Sequence, residues 1–160
     1  MKTLNIDSRV IDQPLEVVSL LLDTLASTED TIWPYENWPE MKFKHGLKEG
    51  SKGGHGMIRY TIEKYIPKKL IEFRFSKPVG FNGIHKLEIL ERGDRSTEIR
   101  HTIDAKMEGI AIMTWALVIR PLHDALLEDA FDKVENRYLS QKKRSEWSNW
   151  VRFLRRLLGA

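Results

Sequence analysis

Three histidines and one tyrosine are the residues of this 160-residue chain best placed to do chemistry out of reach of solvent. In GIHKLEILE, His85 alternates onto the same side as Leu87 and Ile89, while Lys86 and Glu88 fall on the other. In STEIRHTIDA, His101 shares a side with Ile99 and Ile103, against Glu98, Arg100 and Thr102. Alternation with a period of two marks a half-buried strand, so both imidazoles are expected on the apolar face of a sheet. A turn on Arg92, Gly93 and Asp94 pairs residue 91 with 95 and sets His85 opposite His101; cross-strand partners have Cβ atoms about 4.5–5.5 Å apart. His123 falls in the same angular range of a helix as Ile119 and Ala130, and Tyr60 joins the apolar side of a third strand.

Neighbouring buried imidazoles have depressed pKa values, so at least one stays neutral and available as a base. Such a set suits proton transfer on a carbonyl substrate, or orientation of a ligand's carbonyl or hydroxyl. The plainer alternative is a group of core histidines satisfied by each other, by backbone or by water. A three-histidine zinc site needs ring nitrogens converging to about 2.1 Å from one point. The spacing does not enforce that, and neither a metal nor a cofactor is expected. GSKGGHG lacks the Gly-Lys-Ser/Thr ending of a phosphate loop and reads as a connection between strands. Arg120 and Asp124 are spaced to pair across one helical turn. Trp33, Tyr35 and Trp38 fit either a lid over a cavity mouth or plain core aromatics. There is no nucleophile-elbow serine, no HExxH and no paired-carboxylate motif.

The elements that must position these residues follow from periodicity. Thr3 to Ile11 alternates through Leu4, Ile6 and Val10 and reads as a first strand. Asp12 is a candidate N-cap and Pro14 suits a first helical turn, with Val17, Val18, Leu21, Leu22 and Leu25 at helical spacing behind them. Two Trp-Pro pairs break residues 26–41 into an irregular connection. Short MKFKHGL, then Met57–Ile66, Leu70–Ser76, Gly83–Glu91 and Arg95–Ala105 read as further strands. Repeated half-buried alternation argues for a curved antiparallel sheet with one wet face. Thr114 to Leu139 carries a long helical pattern, its apolar arc running Trp115, Ile119, Leu122, Leu126, Ala130 and Val134. Asp124, Glu128, Asp132 and Glu135 lie opposite, and Pro121 is expected to kink or interrupt the helix. The fold class is α+β, a sheet of six or seven strands wrapped around one long helix.

Bulk properties narrow the functional classes. A hydrophobic fraction of 41% with 31% charged residues fits one globular domain. There is no cysteine, so disulfides and thiolate metal sites are excluded and a reducing compartment is expected. No signal segment and no membrane-length apolar run is legible, so a cytoplasmic location is expected. The net charge is +3, but residues 142–156 hold six basic residues against Glu146, an excess of five; three minus five leaves −2 on the rest. The body therefore has no basic excess for nucleic acid, and no nucleic-acid partner is expected.

This layout resembles the SRPBCC superfamily, which includes START-type lipid-transfer domains, the birch-pollen allergen family and polyketide cyclase/dehydratase-like proteins. The likeness covers about residues 3–140, and GGHGMIRYTIEKYIPKKLIEFRF and RPLHDALLEDAFDKVE are similar to stretches of bacterial cyclase-like members. It departs from the usual seven strands, since only six are legible here, with Gly50–Gly56 where a short one belongs. The resemblance implies a helix-grip fold with a cavity between sheet and long helix, lined here by Tyr60, Phe73, Phe75, His85, His101, Ile119, His123 and Leu126. Its implied function is binding, or carrying, a small apolar or amphipathic molecule. The alternative is a cyclase/dehydratase-like enzyme using His85 and His101 as its acid-base pair.

The chain closes on SEWSNWVRFLRRLLGA, after a polar hinge SQKKRS, so residues 1–140 are read as the domain and 141–160 as hinge plus tail helix. Wound as a helix, Trp147, Trp150, Val151, Phe153, Leu154, Leu157 and Leu158 fill one arc, with Arg152, Arg155 and Arg156 outside it. Such a stripe must be covered: by its own domain, by a second copy of the chain, or by a membrane surface. Trp147, Trp150, Phe153, Leu154, Arg155 and Leu157 are the expected contact residues, and a third functional alternative is a peripheral membrane or assembly protein acting through them.

Overall fold

The computed structural model describes residues 1–158. Among them, one antiparallel sheet holds β1 (Lys2–Ile11), β2 (Lys42–Phe43), β3 (Lys52–His55), β4 (Ile58–Ile66), β5 (Leu70–Lys77), β6 (Phe81–Gly93) and β7 (Ser96–Met107). The order across the sheet is β1-β7-β6-β5-β4-β3-β2. Helix α1 (Leu15–Leu22) follows β1. After β7 comes one helical run: α2 (Ala111–Thr114), a π-helical turn (Trp115–Ile119) and α3 (Arg120–Glu135). The tail forms α4 (Asn149–Leu158). This is the helix-grip architecture: α+β, with a seven-stranded sheet on one long helix.

The seventh strand is β3, inside the glycine-rich stretch that gives no alternation signal. Glycine is what lets it pair: a Cβ on Gly53 would overlap the Lys42 carbonyl, and one on Gly54 the Ile58 carbonyl. The strand read over MKFKHGL shrinks to Lys42–Phe43. Helix α1 starts at Leu15, with Pro14 in the cap position and no side-chain cap from Asp12. The long helix runs four residues short of Leu139, because residues 136–138 turn. There the Asn136 side chain both donates to the Lys143 carbonyl and accepts from its N–H, each at 2.8 Å.

Two expectations about register and facing change. The β6–β7 hairpin turns on Asp94 and Arg95, and the pairing shifts between Glu91 and Gly93. His85 therefore lies opposite Ile103, and His101 opposite Leu87. A bulge inserts residues into one strand. Because the displacement is two residues, a full side-chain period, both imidazoles keep the inner face. In β1 the apolar set is outside: Leu4, Ile6 and Val10 are 64%, 54% and 53% exposed. Asn5, Asp7 and Arg9 point inward, towards α3.

That inversion is held by charge. Arg9 reaches Glu128 at 2.6 Å, Glu135 at 2.7 Å and Asp132 at 3.0 Å, so the acidic side of α3 lies over the edge strand. Arg120 and Asp124 pair at 3.7 Å as the spacing requires. Pro121 stands in the first turn of α3, directly after the π-turn that interrupts the α-helix, and the helical run continues past it. It has no N–H to give the carbonyl four residues back, at Leu117, and that carbonyl accepts the Trp150 indole N–H at 2.8 Å.

Two apolar clusters form the core. The larger packs Leu126, Leu127, Phe131 and Val134 of α3 on Ile62, Ile71, Phe73, Ile89 and Ile99 of the sheet, and takes in α1, Trp33, Trp38 and Val151. The smaller gathers Phe81, Ile103, Ala105, Met107, Ala111 and Trp115, with Phe75 and Ile119 against it.

Candidate functional site

Between the two clusters runs a seam of polar rings. It begins at His55, whose ring lies 4.7 Å from Trp33 and 6.0 Å from Tyr60. Tyr60 meets the His85 ring edge-on at 4.7 Å. Phe73 and Phe75 stack on His85 at 4.6 and 4.7 Å, so this imidazole has aromatic walls. His85 Nδ1 lies 3.1 Å from His101 Nε2. His101 continues to His123 at 4.8 Å between ring centres, and Trp115 closes the seam 6.2 Å beyond. Strand alternation supplies Tyr60, His85 and His101; the helical run supplies Trp115 and His123.

The sequence therefore places Tyr60, Phe73, Phe75, His85, His101 and His123 together. Leu126 is buried in the larger cluster and Ile119 packs on the smaller one, to either side of the seam. Much of the space between sheet and α3 is filled by side chains. An open cleft of about 740 Å³ lies at the β2–β5 end, and His55, Arg59 and Tyr60 are among its lining residues.

The electrostatics follow from burial. His85 and His101 are held well below the ordinary imidazole pKa by desolvation, with the other histidines adding to it, so both rings are neutral. Burial pushes His55 down to about 3. Tyr60 is raised well above the usual phenol value by the same cause. Four buried polar atoms in the seam have no protein partner among the described residues: Tyr60 Oη, His85 Nε2, His101 Nδ1 and His123 Nε2. Each ring spends one face or nitrogen on a neighbour and leaves another bare.

The His123 end reaches a polar cluster on β1. Asp7 Oδ2 is 4.0 Å and Asp124 Oδ1 3.3 Å from His123 Nδ1. Asn5 Nδ2 donates to Asp7 at 2.7 Å and to Asp124 at 3.2 Å. Desolvation raises the Asp7 carboxyl, and Asp124 and Glu128 add to that against His123 and Arg120. Burial alone would raise Asp124 too, but His123, Asn5 and Arg120 bring it below the usual range. Sequence reasoning missed His55, hidden in a glycine-rich strand, and Asp7, whose strand presents its polar side inward. Asp7 stands opposite His101 across β1 and β7, a pairing that no sequence pattern marks.

The tail folds back on its own domain. Val151 and Leu154 are buried, and Arg155 lies between Trp38 and Trp147, 4.3 Å from each ring. Both indoles donate to Asp129, Trp38 at 2.7 Å and Trp147 at 3.1 Å. Trp33 and Trp38 are core aromatics, whereas Tyr35 is exposed under Lys133. Of the expected contact residues, Trp147, Leu154 and Arg155 are thus engaged internally. Trp150, Phe153 and Leu157 remain 47%, 52% and 69% exposed. Among the described residues, no helix is long and apolar enough to cross a membrane.

No protein-family profile and no curated protein matches the chain. Solved structures do match. A Thermobifida fusca protein shares 14% identity over 89% of this chain and 99% of its own, with a TM-score of 0.67. Truncated norcoclaurine synthase from Thalictrum flavum shares 9% over 89% and 96%, at 0.64. A Nitrosospira multiformis protein shares 17% over 86% and 97%, at 0.62. At these identities the likeness is one of fold.

Proposed function

We propose that the protein is a binding protein of the SRPBCC superfamily, taking a small amphipathic molecule into the seam between its two core clusters. The observation that carries this is the set of four unpartnered polar atoms on Tyr60, His85, His101 and His123. An unsatisfied buried polar group costs about 1–3 kcal/mol, and native interiors rarely keep several side by side. A guest with an aromatic or aliphatic body and a carbonyl or hydroxyl satisfies both needs. Its body lies against Phe73 and Phe75, and its polar atoms face Tyr60 and the neutral imidazoles.

Native mass spectrometry of gently purified protein tests this, with Tyr60→Phe and His85→Gln as comparators. The expected result is a co-purified small molecule lost or reduced in both variants. A bare mass, with no thermal stabilisation by a panel of amphipathic compounds, overturns it. The same variants address catalysis: a neutral, hydrogen-bonded histidine pair suits a general base. In an enzyme, His85→Gln with His101→Gln abolishes turnover of the bound compound; in a carrier it only weakens binding. A norcoclaurine synthase of this fold has been solved with a transition-state analogue, so the scaffold accommodates either role.

A second reading is favoured by one observation, the apolar side chains that tail docking leaves uncovered. Trp150, Phe153 and Leu157 of α4 stay exposed, and Leu117, whose carbonyl Trp150 holds, is 53% exposed beside them. Arg144, Arg152 and Arg156 line an adjoining open cleft of about 530 Å³. Apolar side chains flanked by arginines fit the interface of an anionic membrane.

A further inference from the structure

We propose that Asp7, His101 and His123 form a site for one divalent transition-metal ion of the zinc, cobalt or nickel class. One donor atom from each of the three lies within 4.8 Å of the other two. The backbone enforces this convergence: Asp7 and His101 are direct partners across β1 and β7, and α3 lowers His123 onto the pair. Donors bound at about 2.0–2.2 Å stand roughly 3.4 Å apart around a tetrahedral ion, so an edge at the 4.8 Å limit must close by about 1.4 Å. This set is not the three-histidine one that spacing failed to support, because a carboxylate takes the place of His85.

The surroundings are those of a ligand shell. His101 meets His85 through Nε2 and keeps Nδ1 bare and buried. His123 Nδ1 faces both Asp124 and Asp7, at 3.3 and 4.0 Å, and its Nε2 has no protein partner. Metal-bound imidazoles commonly use one nitrogen on the ion and the other on an orienting partner. Asn5 fixes Asp7 by donating to it. Two imidazoles and one carboxylate select borderline metals over calcium or magnesium. The side chains of Asp7 and His123 are 20% and 14% exposed, which gives an ion a way in. A simple ion pair between Asp7 and protonated His123 would leave the His101 nitrogen bare; a metal joins all three. The site goes beyond the organic-ligand reading and shares His101 and His123 with it, leaving Tyr60 and His85 to face an organic guest.

Titrating ligand-free protein with Co²⁺, followed by visible absorption, tests the site. One ion per chain is expected, with d–d bands absent from Asp7→Asn and His123→Gln, whose affinity drops about tenfold or more. His45→Gln, an exposed histidine outside the site, should leave the titration unchanged. No uptake by the wild type, or uptake lost only in His45→Gln, overturns the proposal. If a variant fails to fold, imidazole ¹⁵N shifts of wild-type protein on adding Zn²⁺ decide instead. Movement of the His101 and His123 signals with His45 still is expected; movement of His45 alone, or of none, overturns it.

Discussion

The Tyr60 hydroxyl is 1% exposed in residue terms and has no partner, so removing it should help the empty protein. Tyr60→Phe keeps the ring contacts with Phe73 and His85 and deletes only the orphan. We expect ligand-free stability to rise by about 1 kcal/mol while affinity for the guest falls, read by urea melts and by ligand titration. A loss of stability would mean that the hydroxyl is already satisfied. His55 makes a pH prediction. Its imidazole is pushed down to about 3 in the fold, against about 6.5 unfolded, so the unfolded chain binds the extra proton. Its share of stability is complete above pH 6.5 and is lost as pH falls towards 3, by up to about 1.4 kcal/mol per pH unit. The gap between urea midpoints at pH 7 and pH 5 should narrow in His55→Gln but not close, because His85 and His101 contribute to the same slope; an undiminished gap would contradict this. At this scale the facing of His85 and His101 was legible, because apolar neighbours flank each of them in alternation. Their register was not, since the shift beside Gly93 leaves no mark on the pattern.

Between β1 and α3 a single arginine holds three carboxylates, and this pairing decides which way the edge strand faces. Asp132 and Glu135 have side chains only 9% and 13% exposed. Burial alone would raise the Glu135 carboxyl, yet hydrogen bonds from Lys143 and Arg9 hold it below its usual range. Arg9→Met leaves Glu135 to Lys143 and Asp132 to the Ser145 N–H, each without its arginine. We expect a loss of about 1.5–3 kcal/mol at pH 7, shrinking as pH falls and Glu135 protonates. Equal losses at pH 7 and pH 4 would show that packing, not charge, holds the strand. The sequence displayed the period of β1 but not its inner face. Leu4, Ile6 and Val10 alternate as a core-facing set would, and only the acidic side of a helix more than 100 residues away selects Asn5, Asp7 and Arg9 instead. The long helix itself was readable from its apolar arc. Pro121 marked an interruption, but its form, a π-turn over Trp115–Ile119, was not readable.

At the scale of the whole molecule, the tail both completes the fold and offers a surface. Val151 is part of the main cluster, and Leu154 is 3% exposed. Leu154→Ala should cost about 2–5 kcal/mol, and a chain cut after Leu139 should be destabilised for the same reason. Truncation is thus a poor test of membrane contact, since it damages the core along with the surface. Trp150 is a poor choice too, because its indole holds the Leu117 carbonyl. Phe153 and Leu157 are exposed, and substitutions of that kind usually shift stability within about 0.5 kcal/mol. The discriminating comparison is wild type against Phe153→Ser with Leu157→Ser, by flotation with anionic and with neutral vesicles. Wild type should float with the anionic vesicles, less so as salt screens Arg152 and Arg156, and the double variant should stay behind with an unchanged melting temperature. Equal flotation of the two proteins, or none of the wild type, leaves those side chains to a second copy of the chain, for which sedimentation of the same pair gives the answer.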